Sequence, residues 1–282
     1  MNYPRIAGSL LLVAAGFLVI RPGLSAQTQF VPIDVPGAVE DQALNINPRG
    51  DVVGVFLGAD GHTHGFFLSG SQFSVLDFPG AILTNAIALN ARQDIVGRFD
   101  TADGRMHGYL LNASGYSAVD VPGAQHTTAN GINDKGDITG RYVDAARHTH
   151  AYVLTEDGFI SFDVPGSVST QAQGINNRGE VTGPYTTSDG RTHGYVKDGD
   201  GFVSIDVPGS VFTTPFGINA QGDVVGQYRA PDGVLHGFLV THRGFETIDV
   251  PGINALRGIN PRGDIVGSYS LAGKLHGFAL LK

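Results

Sequence analysis

One unit of about 43 residues is repeated six times along this chain, and that periodicity constrains the fold more than any other feature. An aspartate that opens a D-V-P-G tetrapeptide (D-F-P-G in one copy) recurs every 43 residues, at Asp34, Asp77, Asp120, Asp163, Asp206 and Asp249. A histidine that opens an H-G/A-F/Y triplet recurs once in each copy, every 43 residues except for the shorter last step, at His64, His107, His150, His193, His236 and His276. The copies follow one another without a linker, which predicts a single repeat domain over residues 27–282.

Each copy is expected to form four short β-strands. Their patterns are F-x-x-I-D-V, T-x-A-x-G-I-N, D-I-V-G-x-Y and H-G-F-L-L, short segments rich in Val, Ile, Phe and Tyr and divided by glycine. An N-x-x-G-D turn separates the second strand from the third, and a D-G turn, a strong hairpin signal, separates the third from the fourth in most copies. Only the V-P-G-A-x-x-T link between the first and second strands is long, so each copy contributes a meander followed by a crossover.

This pattern predicts an all-β fold, a six-bladed β-propeller of four-stranded blades. Each blade would hold the last three strands of one copy and the first strand of the next. The opening strand Phe30–Asp34 is therefore expected to complete the last blade beside Leu275–Leu281 and to close the ring, which leaves no exposed sheet edge there. Two β-trefoils of three copies each are the alternative, although no linker near residue 158 favours such a split.

The repeat resembles the extracellular HAF-repeat family, in which G-I-N-x-x-G-x-V-V-G precedes a His-Ala-Phe-like triplet. His150-Ala151-Tyr152 is the nearest match, and the other copies read His-Gly-Phe or His-Gly-Tyr. The resemblance extends over the whole chain after residue 26. It implies an exported repeat protein and supplies no catalytic residues.

The first 26 residues have the layout of a secretory signal peptide. Arg5 precedes an apolar run of 15 residues, Ile6–Ile20, and small residues lead up to Ala26. A membrane span needs about 20 residues, so we expect cleavage after Ala26, with an uncleaved anchor as the alternative. The protein is then expected to be periplasmic, on the cell surface or extracellular, and to touch a membrane only through this segment if it is retained.

Composition argues against several function classes. The 18 basic and 26 acidic side chains give a net charge of −8, which disfavours nucleic-acid binding because phosphate contacts need basic groups. The absence of cysteine removes disulfides, thiolate nucleophiles and zinc–thiolate sites. The chain also has no G-x-S-x-G elbow, no H-E-x-x-H motif and no phosphate-binding glycine loop.

The repeated histidines and aspartates are predicted to be structural. Pairing the fourth strand with the following first strand around Gly70-Ser71 puts His64 opposite Asp77 on the same face. The same register predicts five further pairs: His107 with Asp120, His150 with Asp163, His193 with Asp206, His236 with Asp249, and His276 with Asp34. Propellers of the WD-repeat type use a similar His and Asp in each blade; a role in ligand binding is the alternative.

An aromatic residue also recurs around the rim, at Phe56, Phe99, Tyr142, Tyr185, Tyr228 and Tyr269. We predict that these rings pack the blades, with stacking against a glycan as the alternative.

Positions that differ between copies indicate where a single ligand on the propeller axis could bind. The tips of the long links are expected to converge on the mouth of the central channel and to present Glu40, Asp41, Asn85, His126, Gln171 and Asn254. The oxygen-bearing side chains of Glu40, Asp41, Asn85 and Asn254 suit calcium, and His126 could act as a general base. Ordinary solvated loop residues are the alternative interpretation.

Two classes of function follow. The first is an exported binding or scaffold module for a glycan, a surface polymer, a protein partner or a small molecule at the channel mouth. The second is a calcium-dependent lactonase or related hydrolase with its site at that mouth, an analogy based on fold alone. A polysaccharide lyase that uses His126 and a rim tyrosine is a third hypothesis.

Overall fold

The computed structural model describes residues 28–199 and 201–282, and the predicted signal segment 1–26 lies outside them. The described residues form short β-strands throughout. In chain order these are β1 (Gln29–Ile33), β2 (Glu40–Ile46), β3 (Val52–Leu57), β4 (Thr63–Ser69), β5 (Gln72–Leu76), β6 (Leu83–Leu89), β7 (Ile95–Asp100), β8 (Met106–Asn112), β9 (Gly115–Val119), β10 (His126–Ile132), β11 (Ile138–Val143), β12 (Thr149–Thr155), β13 (Gly158–Phe162), β14 (Ser167–Thr170), β15 (Gly174–Ile175), β16 (Val181–Thr187), β17 (Thr192–Asp198), β18 (Gly201–Ser204), β19 (Phe212–Ile218), β20 (Val224–Arg229), β21 (Leu235–Thr241), β22 (Gly244–Ile248), β23 (Ile253–Ile259), β24 (Ile265–Leu271) and β25 (Lys274–Leu281). In this part of the chain, no helix has the length and apolar character needed to cross a bilayer.

The strands form six antiparallel sheets, which are the blades of a propeller. Blades one to three are β2–β5, β6–β9 and β10–β13; blade four is β14–β18, with β14 and β15 as two parts of its inner strand. Blade five is β19–β22, and blade six is β23–β25 with β1. The inner strand β2 contacts both β6 and β23, so the inner strands close a ring. This confirms the six-bladed propeller predicted from the repeats.

The N-terminal strand completes the last blade, as the phase of the repeat predicted. β1 pairs antiparallel with β25, from Gln29 opposite Leu281 to Ile33 opposite Gly277. The Phe30 ring stacks on Phe278 with 5.4 Å between ring centroids, and Ile33 is buried. Strands from both ends of the chain therefore share one sheet.

The hydrophobic core consists of layers between neighbouring blades. One layer combines Ala43 and Phe66 of blade one with Val266 and Ala279 of blade six. The glycine in the third strand of each repeat leaves room for close packing within this arrangement. At Gly97 an added Cβ would overlap the carbonyl oxygen of Asn85 on the adjacent strand.

The asparagine that precedes each N-x-x-G turn connects two blades. The Asn47 Oδ1 accepts hydrogen bonds from the backbone N–H groups of Arg49 and Asp51, which closes its own turn. Its Nδ2 donates to the carbonyl oxygen of Asn90 in the next blade at 3.3 Å. The same inter-blade bond recurs around the propeller, from Asn90 to Asn133, Asn133 to Asn176, Asn176 to Asn219, Asn219 to Asn260, and Asn260 to Asn47. We call this closed set of six buried side chains the asparagine ring.

Candidate functional site

A histidine–aspartate hydrogen bond joins the third and fourth strands of every blade. The histidine Nδ1 lies 2.7–3.1 Å from a carboxylate oxygen in His64–Asp77, His107–Asp120, His150–Asp163, His193–Asp206, His236–Asp249 and His276–Asp34. The aspartates are between 32% and 65% exposed, so water screens each pair. Exposed ion pairs of this kind contribute about 0–1 kcal/mol each.

The rim aromatics stack on these histidines. The Phe56 and His64 ring centroids are 5.1 Å apart. Equivalent contacts at 5.0–5.6 Å join Phe99 to His107, Tyr142 to His150, Tyr185 to His193, Tyr228 to His236 and Tyr269 to His276. One face of each aromatic ring is therefore covered within the blade, an arrangement that favours packing over glycan stacking for these residues.

Two of the histidines have a second carboxylate neighbour. Burial acts to lower the pKa of His64, but its bonds to Asp77 and Asp60 outweigh burial and hold that pKa above its ordinary value of 6.5. The pKa of His150 is raised in the same way against burial, by Asp163 and Asp144. A raised folded-state pKa means that the stabilisation is fully present below pH 6.5 and is lost as the pH rises through the folded pKa.

A small pocket lies at the joint between blades four and five. Its volume is about 130 Å³, and it is lined by Arg191, Thr192 and His193 on one side and by residues 206–212 of the link on the other. The His193–Asp206 hydrogen bond joins the two sides, and Arg191 Nη2 donates to the carbonyl oxygen of Ser210 at 3.4 Å. The pocket thus combines a guanidinium, an imidazole–carboxylate pair and apolar link residues.

Most other copies of the repeat carry a basic or imidazole side chain at the position equivalent to Arg191. The residue two positions before the repeated histidine is His62, Arg105, His148, Arg191, Val234 or Lys274 in successive copies. Arg105 contacts the next link as Arg191 does, because its Nη2 donates to the carbonyl oxygen of Ala124 at 3.1 Å. A basic or imidazole side chain therefore occupies this position in five of the six copies.

A second cavity, of about 270 Å³, lies in the central channel. Each inner strand contributes to it the residue three positions before the asparagine of the ring: Leu44, Ile87, Asn130, Gln173, Phe216 and Arg257. Gln42, Asn45, Val55 and Asn85 complete the lining. We call this position of the repeat the channel register. It holds a different residue in every copy, whereas the asparagine three positions later is the same in all six.

Of the six side chains predicted at the channel mouth, Asn85 lines this cavity. The other five lie elsewhere along the inner edges of the blades. His126 opens β10, and its Nδ1 accepts a hydrogen bond from the backbone N–H of Met106 at 3.1 Å. The Asn254 Oδ1 accepts one from Ser268 Oγ at 3.3 Å, and Gln171 lies between β14 and β15. Among the six, the structure thus places Asn85 in the channel lining, and their convergence around one ligand stays a prediction.

Asp41 in particular belongs to a joint between blades. It is 4% exposed; its Oδ1 accepts a hydrogen bond from Gly277 N at 2.8 Å and its Oδ2 accepts one from Val35 N at 3.2 Å. Equivalent threonines in four other copies, Thr84, Thr127, Thr170 and Thr213, also accept a bond from a link N–H. Asp41, in blade one, is therefore bonded to the first link through Val35 and to the last blade through Gly277.

Two features of the structure bear on the predicted calcium set. Glu40 and Asp41 are consecutive residues of β2, so their side chains point to opposite faces of the strand. Both carboxylate oxygens of Asp41 already accept backbone hydrogen bonds. Glu40 and Asp41 consequently do not face a common point on the same side of β2.

Burial raises the pKa of Asp41 to about 6, although the bonds from Gly277 and Val35 act to lower it. Since the ordinary value is 3.8, the folded protein retains this proton more tightly than the unfolded chain does. The stability that Asp41 contributes is therefore present below pH 3.8 and is lost as the pH rises to about 6.

Replacing Asp41 with threonine, as in four other copies, is expected to remove this pH dependence. The difference between the two pKa values corresponds to about 3 kcal/mol in all, most of which the parent protein loses between pH 4 and pH 7. Urea unfolding at pH 4, 5, 6 and 7 measures the slope, with Asp157→Thr in an exposed turn as the control. Equal slopes for Asp41→Thr and the parent would contradict this account of Asp41.

Among the described residues, two groups of three side chains bring metal-binding atoms within 4.8 Å of one another: Asp144, His148 and His150, and Asp34, Asp41 and His276. The first offers two imidazoles and a carboxylate, a set that suits a transition metal better than calcium. In that group the Nδ1 of His150 is bonded to Asp163, and its Nε2 lies 3.4 Å from Asp144 Oδ2. The second group includes Asp41, whose oxygens are occupied.

Among the described residues, no side chain bonds to the His126 ring in a way that would orient it as the predicted general base. Within residues 28–199 and 201–282, the hydrogen bond that His126 makes is the one from Met106 N, and no carboxylate or tyrosine hydroxyl bonds to its ring. A general base is normally oriented by such a second group and placed beside the proton that it removes. Among the described residues the His126 ring thus bonds to the backbone of Met106, and the lyase and hydrolase hypotheses stay predictions.

No family model matches the chain, and no curated protein matches it at the sequence level. Several solved structures are similar in fold. AofleA from Arthrobotrys oligospora matches 91% of this chain and 86% of its own, with a TM-score of 0.58 and 13% identity. SapL1 lectin in complex with alpha methyl fucoside matches 83% of this chain and 90% of its own, with a TM-score of 0.55 and 11% identity. A mutant of the Aleuria aurantia lectin in complex with Fucalpha1-6GlcNAc matches 85% and 91%, with a TM-score of 0.53 and 10% identity.

Proposed function

We propose that this protein is a multivalent glycan-binding module whose sugar sites are the pockets at the joints between blades. The observation that carries the proposal is the pocket bordered by Arg191, His193 and Asp206, which is built from elements present in most copies of the repeat. Two propellers of similar fold are described as lectins in complex with fucosides, which supports a saccharide as the ligand.

The chemistry of the pocket suits one sugar residue. The guanidinium of Arg191 donates hydrogen bonds, and the His193–Asp206 pair can both donate to and accept from sugar hydroxyls. Val211 and Phe212 add apolar surface for the hydrocarbon face of the ring. A volume of about 130 Å³ is well below that of drug-sized pockets, so a terminal monosaccharide is the expected ligand rather than a long glycan segment.

Repetition around the propeller compensates for weak individual sites. When several sites on one molecule engage the same polymer, the overall affinity can exceed that of one site by about 10²–10⁴-fold. A surface displaying many copies of one terminal sugar would therefore be bound tightly. We further propose that the protein is exported, on the strength of the segment 1–26 and the HAF-like repeat.

Removing the cationic groups at three joints is expected to abolish tight binding to such a surface. The variant changes Arg105, Arg191 and Lys274 to Gln, and its binding to immobilised α-methyl fucoside and a panel of other terminal sugars is compared with the parent protein. We expect a loss of at least tenfold for the sugar that the parent binds, since each site loses a charged hydrogen-bond donor.

A second triple variant controls for the change in net charge. Arg49, Lys135 and Arg243 are exposed turn residues that do not line the pocket between blades four and five, and their replacement by Gln should leave binding unchanged. Failure of the parent to bind any sugar on the panel would refute the proposed function. Equal losses in the two triple variants would refute the location of the sites.

A further inference from the structure

The channel cavity contains one cationic group, Arg257, and its lining residues include no carboxylate. The Arg257 guanidinium lies over the Phe216 ring with its Cζ 4.1 Å from the ring centroid. Its Nε is buried and has no hydrogen-bond partner in the described part of the chain. The arginines that do form ion pairs there are Arg92, Arg98, Arg178 and Arg262.

This arrangement lowers the stability of the folded protein when no ligand is bound. A partly buried guanidinium without a counter-ion is unfavourable, and the other five copies avoid this by carrying a neutral side chain in the channel register. Burial lowers the pKa of Arg257 to about 10, so the guanidinium stays protonated at neutral pH. An anionic ligand would compensate this charge.

The rest of the cavity has two kinds of surface. The side-chain amides of Gln42, Asn45, Asn85 and Gln173 offer hydrogen-bond donors and acceptors, and the buried Oδ1 of Asn85 also has no partner among the described residues. The side chains of Leu44, Ile87 and Phe216 form an apolar surface in the same cavity. A ligand that fits both has an anionic end and an apolar body.

We propose that the central channel binds a small organic carboxylate, with its carboxylate paired to Arg257 and its apolar part against Leu44, Ile87 and Phe216. A guanidinium and a carboxylate form two parallel hydrogen bonds, and the low-dielectric surroundings strengthen them. The volume of about 270 Å³ lies just below the range of about 300–1,000 Å³ typical of drug-sized ligands, which indicates a compact acid. This site is separate from the joints and does not depend on the proposed glycan function.

The test is a calorimetric titration of the full chain with benzoate, benzyl alcohol and inorganic phosphate. Benzoate has the carboxylate and the apolar ring, benzyl alcohol has only the ring, and phosphate has only the anion. We expect benzoate to bind at least tenfold more tightly than either of the other two. Arg257→Gln should weaken benzoate binding at least tenfold, and Arg257→Lys, which keeps the charge but loses the paired donors, should have an intermediate effect.

Two controls separate a lost site from a damaged protein. Arg243→Gln makes the same charge change in an exposed turn and should bind benzoate as the parent does. Far-ultraviolet circular dichroism and the melting temperature verify that the Arg257 variants are folded; if Arg257→Gln is unfolded, the comparison of benzoate with benzyl alcohol and the Arg257→Lys titration decide. Absence of benzoate binding, preference for phosphate, or equal benzoate affinity of parent and folded Arg257 variants would overturn the proposal.

Discussion

Replacing Asn133 with alanine is expected to lower the free energy of unfolding by about 3 kcal/mol. Asn133 is 3% exposed and makes four side-chain hydrogen bonds. Its Oδ1 accepts from the N–H groups of Lys135 and Asp137, and its Nδ2 donates to Asp137 Oδ2 at 2.8 Å and to the Asn176 carbonyl at 3.2 Å. Each such bond contributes about 1 kcal/mol net, and the loss is larger when a buried partner is left unpaired.

Asn133→Asp separates the two roles of this side chain. The change keeps an oxygen that can accept the turn bonds, but it puts a second oxygen where Nδ2 faces Asp137 Oδ2 and the Asn176 carbonyl. The new oxygen then repels the Asp137 carboxylate in the same turn and the Asn176 carbonyl oxygen in blade four. We therefore expect a loss at least as large as that of Asn133→Ala at neutral pH, and part of it should be recovered in acid as the new carboxyl is protonated.

Urea unfolding of both variants at neutral pH measures these losses. Asn112→Ala is the matched control, because the Asn112 Oδ1 accepts one bond, from Ser114 N, in a surface turn. It should cost less than about 1 kcal/mol. If Asn133→Ala proved no more destabilising than Asn112→Ala, the asparagine ring would not hold the blades together.

The fold could be predicted from the sequence because each copy carries its own local signals. Short turns such as Gly70-Ser71 fix which strands pair, and the long Pro-containing link identifies the crossover between blades. The same register places His64 beside Asp77, because a two-residue turn determines every pair along its hairpin. The connection between blades made by the asparagines has no such local signal, since it joins residues 43 positions apart.

The candidate channel site was harder to predict because it depends on strand boundaries. Residues 40–42 were expected at the tip of a link, but β2 begins at Glu40. The Asp41 side chain therefore points to the opposite face of the strand from Gln42, which lines the channel, and lies between blades one and six. The last copy is two residues shorter, and irregularities in β23 around Asn254 and Arg257 obscure the alignment of Arg257 with Phe216. The invariant asparagine is the more reliable marker, because the channel register lies three positions before it in every copy.

Removing the N-terminal strand is expected to disrupt the propeller more than any single substitution described above. A chain limited to residues 38–282 lacks β1 and exposes the edge of β25, along with the surfaces that cover Phe30 and Ile33. Burial of one large apolar side chain is worth about 1.5–3 kcal/mol, so the loss amounts to several kcal/mol. For a domain of this size we expect the melting temperature to fall by at least about 10 °C, or the shortened chain to aggregate through its open edge.

A circular permutant tests whether closure of the ring, rather than chain order, is what matters. In blade one Ser69 pairs with Gln72, and in blade two Asn112 pairs with Gly115, so two residues connect the strands. Leu281 pairs with Gln29, and joining Lys282 directly to Thr28 would leave the same two-residue connection. A chain running through residues 38–282 and then 28–37 should therefore melt within a few degrees of the parent, although the 38–282 chain does not. If the permutant were as unstable as the 38–282 chain, β1 would have to stabilise the protein by a means other than completing the last blade.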